Sequence, residues 1–289
     1  MLLAVDVGNT RIKFALFEGT ALVNTACAQT AGFTSADCTR IAERLVADCS
    51  TKGCTITRTG VSSVVPQVTL ELLPALKNLS ATPPVVISPG MEFGMAIDID
   101  TPHTLGPDRL SGAAAVFEHF AAAAAVVDLG TATTISVVDE KGTFIGGTIM
   151  PGIYSMLRCL NRDTALLPQM GRGAAPALNG RTPADAGGRT PIDAGGRTPI
   201  DAVAAPPGRN TESAIVSGVV FGTAGAVERI IAEMERSTGL VFKVAATGGA
   251  APCVLPHLRR CDLHDPNLVL KGVRAICEMA HKRRHGSAT

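Results

Sequence analysis

One short pattern occurs twice in this chain, in the same setting each time. Asp6-Val7-Gly8-Asn9-Thr10 closes the apolar run Leu2 to Val5, and Asp128-Leu129-Gly130-Thr131-Ala132-Thr133-Thr134 closes another at Val126 and Val127. A second β-rich run follows each copy, Ile12 to Phe17 and Ile135 to Val138. A single copy reads equally as a tight β-turn, because Asp, Asn, Gly and Thr are ordinary turn residues. The recurrence asks more of the fold. A hairpin turn of this composition leaves backbone N–H groups and hydroxyls free for phosphate oxygens, beside an acid that attracts a cation. Two such turns facing each other would clamp a nucleotide and its metal.

The rest of the pattern also divides in two. In the first half, strands at Ile12 to Phe17 and Leu22 to Ala26 flank the turn Glu18-Gly19-Thr20. Helical spacing of Ile41, Leu45 and Val46 predicts a helix over 37–49. A strand at Gly60 to Val64, a helix from Val68 to Leu79 after Pro66, and a short strand at Val85 to Ile87 complete that half. A loop-like stretch at 88–108 leads into an alanine-rich helix expected to reach about Ala123. The second half repeats the theme with strands at 125–128, 133–139 and 143–150, then a helix from about Ile153. Asn210 or Thr211 could cap a long helix running to about Arg236, with small residues at Ala214, Gly218, Gly222, Ala224 and Gly225. A strand at 241–246 and a last helix at 267–281 follow. Alternating β and α elements predict an α/β fold with mixed sheets covered by helices. We expect two similar domains, 1–110 and 111–289, around a cleft. Residues 180–203 repeat one octad three times (Gly180 to Gly187, Gly188 to Gly195, Gly196 to Val203) and read as an expanded surface loop.

Composition excludes several classes. A formal net charge of +1 over 289 residues argues against a general nucleic-acid surface, and the basic run Lys282-Arg283-Arg284-His285 suits the negative end of a helix. Trp is absent, Tyr154 is the single tyrosine and Phe occurs nine times in core-like contexts, so stacking on single strands is disfavoured. No 18-residue apolar run is free of charges or turn signals, which predicts no membrane span. The N-terminal residues lack a signal-peptide pattern, and a cytoplasmic location is expected. The eight cysteines form no C-x-x-C pair, so neither zinc nor a catalytic thiol is expected.

Asp6, Asp108 and Asp128 are the candidate catalytic and cation-holding acids. Asp108 lies in Gly106-Pro107-Asp108-Arg109 at an expected helix start, where the helix dipole and the adjacent cation favour an ionised carboxylate; a plain helix cap is the competing reading. Thr247-Gly248-Gly249 after an apolar strand permits close approach to a flat ligand such as adenine, although Gly-Gly also simply ends strands.

Taken together, these segments resemble the acetate kinase, sugar kinase, Hsp70 and actin superfamily, whose domains are actin-like (ribonuclease H-like). Within it, Asp6-Val-Gly-Asn-Thr-Arg-Ile-Lys13, Gly106-Pro-Asp-Arg109, Asp128-Leu-Gly-Thr-Ala-Thr-Thr134, Gly146-Gly-Thr-Ile-Met-Pro-Gly152, Asn210-Thr211, Thr247-Gly-Gly249 and Asp265-Pro-Asn-Leu-Val-Leu-Lys-Gly272 resemble type III pantothenate kinase. The resemblance spans the chain apart from the octads. It implies ATP-dependent phosphorylation of the primary hydroxyl of pantothenate, the first step of coenzyme A synthesis. It implies ATP and phosphate contacts at Asp6, Val7, Gly8, Asn9, Thr10, Arg11, Ile12, Lys13, Thr131, Gly248 and Gly249, with Asp6 near Mg2+. It implies that Asp108 is the general base, that Asp128 helps bind K+ or NH4+, and that Gly106, Pro107, Asp108 and Arg109 contact pantothenate. Thr211 would reach that substrate across a homodimer interface. Where the family often carries a pocket tyrosine, this chain has Ile99. No nucleic-acid or membrane partner is implied. Another hydroxylated acid as acceptor, or a nucleotide-binding regulator, are the alternatives; the intact acids disfavour the regulator.

Overall fold

The computed structural model describes residues 1–49, 54–92, 94–163, 167 and 205–286; the octads at 180–203 lie outside them. The first sheet contains β1 (Leu2–Val7), β2 (Arg11–Glu18), β3 (Ala21–Gln29), β4 (Arg58–Ser63) and β5 (Val85–Val86), in the order β3-β2-β1-β4-β5. The second contains β6 (Ala124–Leu129), β7 (Ala132–Val138), β8 (Phe144–Pro151), β9 (Lys243–Thr247) and β10 (Leu263–His264), in the order β8-β7-β6-β9-β10. The two orders correspond strand for strand. In each, the central strand pairs antiparallel with the next strand in sequence and parallel with the fourth. The repeated sequence pattern is therefore a repeated topology.

Among the described residues seven α-helices accompany the sheets: α1 (Ser35–Ala47), α2 (Pro66–Leu79), α3 (Pro107–Phe120), α4 (Ile153–Arg162), α5 (Thr211–Thr238), α6 (Ala251–Val254) and α7 (Leu268–Gly286). Side chains alternate across a strand, so β1 feeds two cores. Leu3 and Val5 pack with Phe14, Leu45, Leu72 and Leu76 beneath α1 and α2. Leu2 and Ala4 join Leu110 of α3, Val273 and Ile276 of α7, and Val126 of β6. Thus α3 and α7 lie between the two sheets. On the far side of the second sheet, Val127 and Ile135 pack against Val216, Val220, Val227 and Ile231 of α5.

Most element ends fall within a few residues of expectation. Thr34 starts α1 with a reciprocal capping box to Asp37, and Asn210, rather than Thr211, caps α5 through Ser213. The alanine-rich helix stops short of the expected Ala123. It ends at Phe120, where Ala121 takes a left-handed conformation (φ 47°) as cap. Alanine is the best helix former, but Ala124 and Ala125 are fully buried in β6, where sheet pairing and core packing outweigh propensity. The small-residue face of α5 divides: Ala224 is buried, whereas Gly218, Gly222 and Gly225 face open space. By length and composition alone α5 is long and apolar enough to cross a membrane. Its Val216–Ile231 stripe is instead part of the second core.

Candidate active site

Strands β1 and β6 both end at one cavity of about 270 Å³. Register fixes the neighbours of their acids. Asp6 stands between Lys13 on β2 and Ser62 on β4, and Asp128 stands between Thr134 on β7 and Thr247 on β9. Each following turn closes with a comparable backbone bond, Gly8 N–H to the Arg11 carbonyl at 3.0 Å and Gly130 N–H to the Ala132 carbonyl at 3.0 Å. The turns meet across the cleft, with the hydroxyls of Thr10 and Thr131 3.2 Å apart.

Asp6, Asp108 and Asp128 all line this cavity, as do Lys13 and Arg11. Burial pushes the Asp6 carboxyl up to about 7; Lys13 opposes that shift, and the charges of Asp108 and Asp128 reinforce it. Burial likewise pushes Asp128 up to about 6, against the pull of Lys13 and with the repulsion of Asp108. Lys13 is also tied to the segment before α7, donating to the Pro266 carbonyl at 3.2 Å. Three acids around one lysine form a site that a cation would relieve. Among the described residues no three His, Cys, Asp or Glu side chains are grouped to hold a metal by themselves. The cavity carboxylates of Asp6 and Asp128 fit a divalent ion that takes one or two carboxylates and completes its shell with water and phosphate oxygens.

The Gly-Gly turn after β9 packs beneath the second acid. Gly248 has φ +97°, and a Cβ there would stand 2.5 Å from both Asp128 Oδ1 and the Leu129 carbonyl carbon. Only a residue without a side chain lets this turn pass so close. Ala250 N–H then donates to the Leu129 carbonyl at 2.9 Å, fixing the turn to β6.

Asp108 sits in the first turn of α3, and its Oδ1 accepts the N–H of Arg109 at 2.8 Å. The Arg109 side chain turns to the second sheet. Its Nε donates to Ser136 Oγ on β7 at 3.0 Å, and its Cζ lies 5.5 Å from the Phe144 ring centre.

The cavity gathers Asp6, Gly8, Asn9, Thr10, Arg11, Lys13, Asp108, Asp128, Thr131, Gly248 and Gly249. The side chains of Val7 and Ile12 are buried in the first core, so only their backbones are available to a ligand. Gly106, Pro107, Arg109, Ile99 and Thr211 are not among its lining residues. Ile99 packs against the central core near α3, and Thr211 opens α5. Val64, Tyr154, Pro252 and Cys253 also line the cavity, although no sequence signal singled them out. Pro252 carries one in retrospect: it stands in the first turn of a helix that follows Gly-Gly directly.

The sequence model of type III pantothenate kinase matches residues 2–233. A type III pantothenate kinase of Syntrophobacter fumaroxidans is 32% identical over 288 residues, 98% of this chain and 99% of its own length. Among solved structures, the ADPNP-bound activator of 2-hydroxyisocaproyl-CoA dehydratase from Clostridium difficile superposes with a TM-score of 0.53 at 11% identity, over 98% of this chain and 97% of its own. A ROK-family glucokinase from Streptomyces griseus, in complex with glucose and AMPPNP, gives a TM-score of 0.51 at 11% identity, over 94% and 97%. The fold is the actin-like fold of the sugar kinases and their ATPase relatives. The doubled sheet, the facing turns and the match over nearly the whole chain lead to one conclusion: this chain belongs to the type III pantothenate kinase family, ATP-dependent kinases that phosphorylate pantothenate in coenzyme A biosynthesis.

Proposed function

We propose that the cavity between β1 and β6 is where the phosphoryl group passes from ATP to pantothenate. The observation carrying this reading is the approach of Thr10 and Thr131 within 3.2 Å above a cavity lined by Asp6, Asp108 and Asp128. Phosphoryl transfer needs positioning, charge neutralisation and an oriented nucleophile more than covalent chemistry. Residues 6–13 hold the phosphates through turn N–H groups, the Thr10 hydroxyl and the Lys13 ammonium. Thr131 contributes from the second turn, and Gly248 and Gly249 lie against the adenosine. Asp108 accepts the proton of the primary hydroxyl as that oxygen attacks. Gly106 to Arg109 contact the acceptor, with Ile99 at the edge of its pocket.

Asp6 is the carboxylate that holds Mg2+, which when bound neutralises phosphate charge. Asp128 helps hold a monovalent cation, K+ or NH4+. Its carboxyl, pushed up by burial, suits a site that ionises fully once a cation arrives. The enzyme acts in the cytoplasm as a homodimer of two-domain subunits divided near residue 110, with Thr211 of one subunit reaching the acceptor held by the other.

The test is ADP release with saturating ATP and pantothenate in potassium, ammonium and sodium buffers. Wild-type turnover should require potassium or ammonium, and Asp128→Asn should lose that selectivity together with most of its rate. Equal turnover in all three buffers would remove the monovalent-cation role. A solution mass of one chain at micromolar concentration would remove the role of Thr211.

A further inference from the structure

Arg109 is held in an unusual way. It is half-buried, yet among the described residues no carboxylate lies within ion-pair distance of it. A guanidinium stays charged in proteins, and a desolvated charge without a partner is costly. Burial lowers its pKa, and the neighbouring Asp108 opposes that. What the chain offers instead is one neutral hydrogen bond and an aromatic face: Ser136 Oγ accepts from Nε at 3.0 Å, and the Phe144 ring centre lies 5.5 Å from Cζ. Ser136 is 2% exposed and Phe144 is fully buried, so both are fixed in the wall of the second sheet. Across the ladder, Ser136 pairs with Gly147 on β8. A Cβ on Gly147 would stand 2.5 Å from Arg109 Nη2 and would also collide with the Ile135 carbonyl. The guanidinium thus occupies the space that a side chain at 147 would fill.

This arrangement uses up Nε and one face of the guanidinium, and among the described residues no carboxylate neutralises its Nη donors. Bidentate capture of an oxyanion is what such donors do best. The direction is informative too. Asp108 lines the cavity between the two turns, whereas the Arg109 side chain reaches Ser136 and Phe144 in the second sheet; the kinase reading puts the acceptor on that side of the base. The anionic group that pantothenate brings there is its carboxylate.

We propose that Ser136 and Gly147 are positioning residues for the acceptor: they set the Arg109 guanidinium to receive the substrate carboxylate, Ser136 by fixing Nε and Gly147 by leaving room. The inference rests on the kinase reading given above. The experiment compares wild type, Ser136→Ala and Gly147→Ala on pantothenate and on pantothenyl alcohol, in which a hydroxymethyl group replaces the carboxylate. On pantothenate, Ser136→Ala should raise KM about tenfold, the effect of losing ~1.4 kcal/mol, with kcat and the KM for ATP within about twofold. On pantothenyl alcohol the same variant should match wild type. In an Arg109→Ala background the Ser136→Ala change should cost nothing further, the non-additivity expected of groups that act through one another. Gly147→Ala should follow Ser136→Ala if it folds; Ser136→Ala, which only deletes a hydroxyl, carries the test if it does not. Equal losses on both acceptors, or a parallel fall in ATP affinity, would mark a structural role and overturn the proposal. Unchanged pantothenate kinetics in Ser136→Ala would overturn it as well. A wild-type protein that fails to phosphorylate pantothenate would overturn the kinase reading itself, and this inference with it.

Discussion

Asp6→Asn should stabilise the metal-free protein at alkaline pH and leave it unchanged in acid. Burial between two other acids pushes the Asp6 carboxyl up to about 7, with Lys13 only partly offsetting the effect. In the unfolded chain the same group ionises near the ordinary value of about 4. Between those values the folded protein keeps a proton that the unfolded chain has released. Stability therefore falls as pH rises from about 4 to about 7, and the loss is complete above that range. At about 1.4 kcal/mol per pH unit, a window of roughly three units corresponds to ~4 kcal/mol, an upper figure because Asp6 and Asp128 are coupled. A chain of this length converts each kcal/mol into roughly 2–4 °C of Tm, so the variant should gain on the order of 10 °C at pH 8. The assay is thermal unfolding of both proteins in chelator, from pH 4.5 to 8.5, with the difference in Tm plotted against pH. A difference that opens between about pH 4 and 7 and then levels off fits this electrostatic picture. One that stays flat across the range, or an Asn variant less stable at pH 8, would refute it.

Two other perturbations probe the framework. Gly248→Ala should abolish nucleotide binding, measured by calorimetry, because its Cβ would stand 2.5 Å from both Asp128 Oδ1 and the Leu129 backbone; retained affinity would show that the turn relaxes without disturbing the acid. Asn210→Ala removes the cap that holds the Ser213 N–H at 2.8 Å. It should cost about 1 kcal/mol and speed hydrogen exchange in the first turn of α5, with β1 and β6 unaffected.

Much of the site could be read from residue order because it consists of turns, and turns are local. Asp6 to Thr10 and Asp128 to Thr134 carry their backbone geometry in their own residue types, and the structure brings them face to face. The long-range assembly was much less legible. Nothing in Leu268 to Ala280 says that α7 will lie between the sheets against Leu2 and Ala4, a contact spanning nearly the whole chain. The alanine run misled for a related reason: intrinsic propensity favours helix through Ala123, and only burial in the second sheet turns Ala124 into strand. Ser62 and Ser136 show the same limit. Each gains meaning only through a cross-strand partner or a side chain from another element, and register is set by the folded sheet.

The central claim is that Asp108 and the two facing turns serve transfer to pantothenate. The most direct test is ADP release with and without pantothenate, in wild type and in Asp108→Asn. Pantothenate-dependent ADP formation in wild type is expected, with kcat reduced about 10²–10⁴-fold in the variant while nucleotide affinity is retained. ADP release indifferent to pantothenate, or an Asn variant that keeps the wild-type rate, would contradict it.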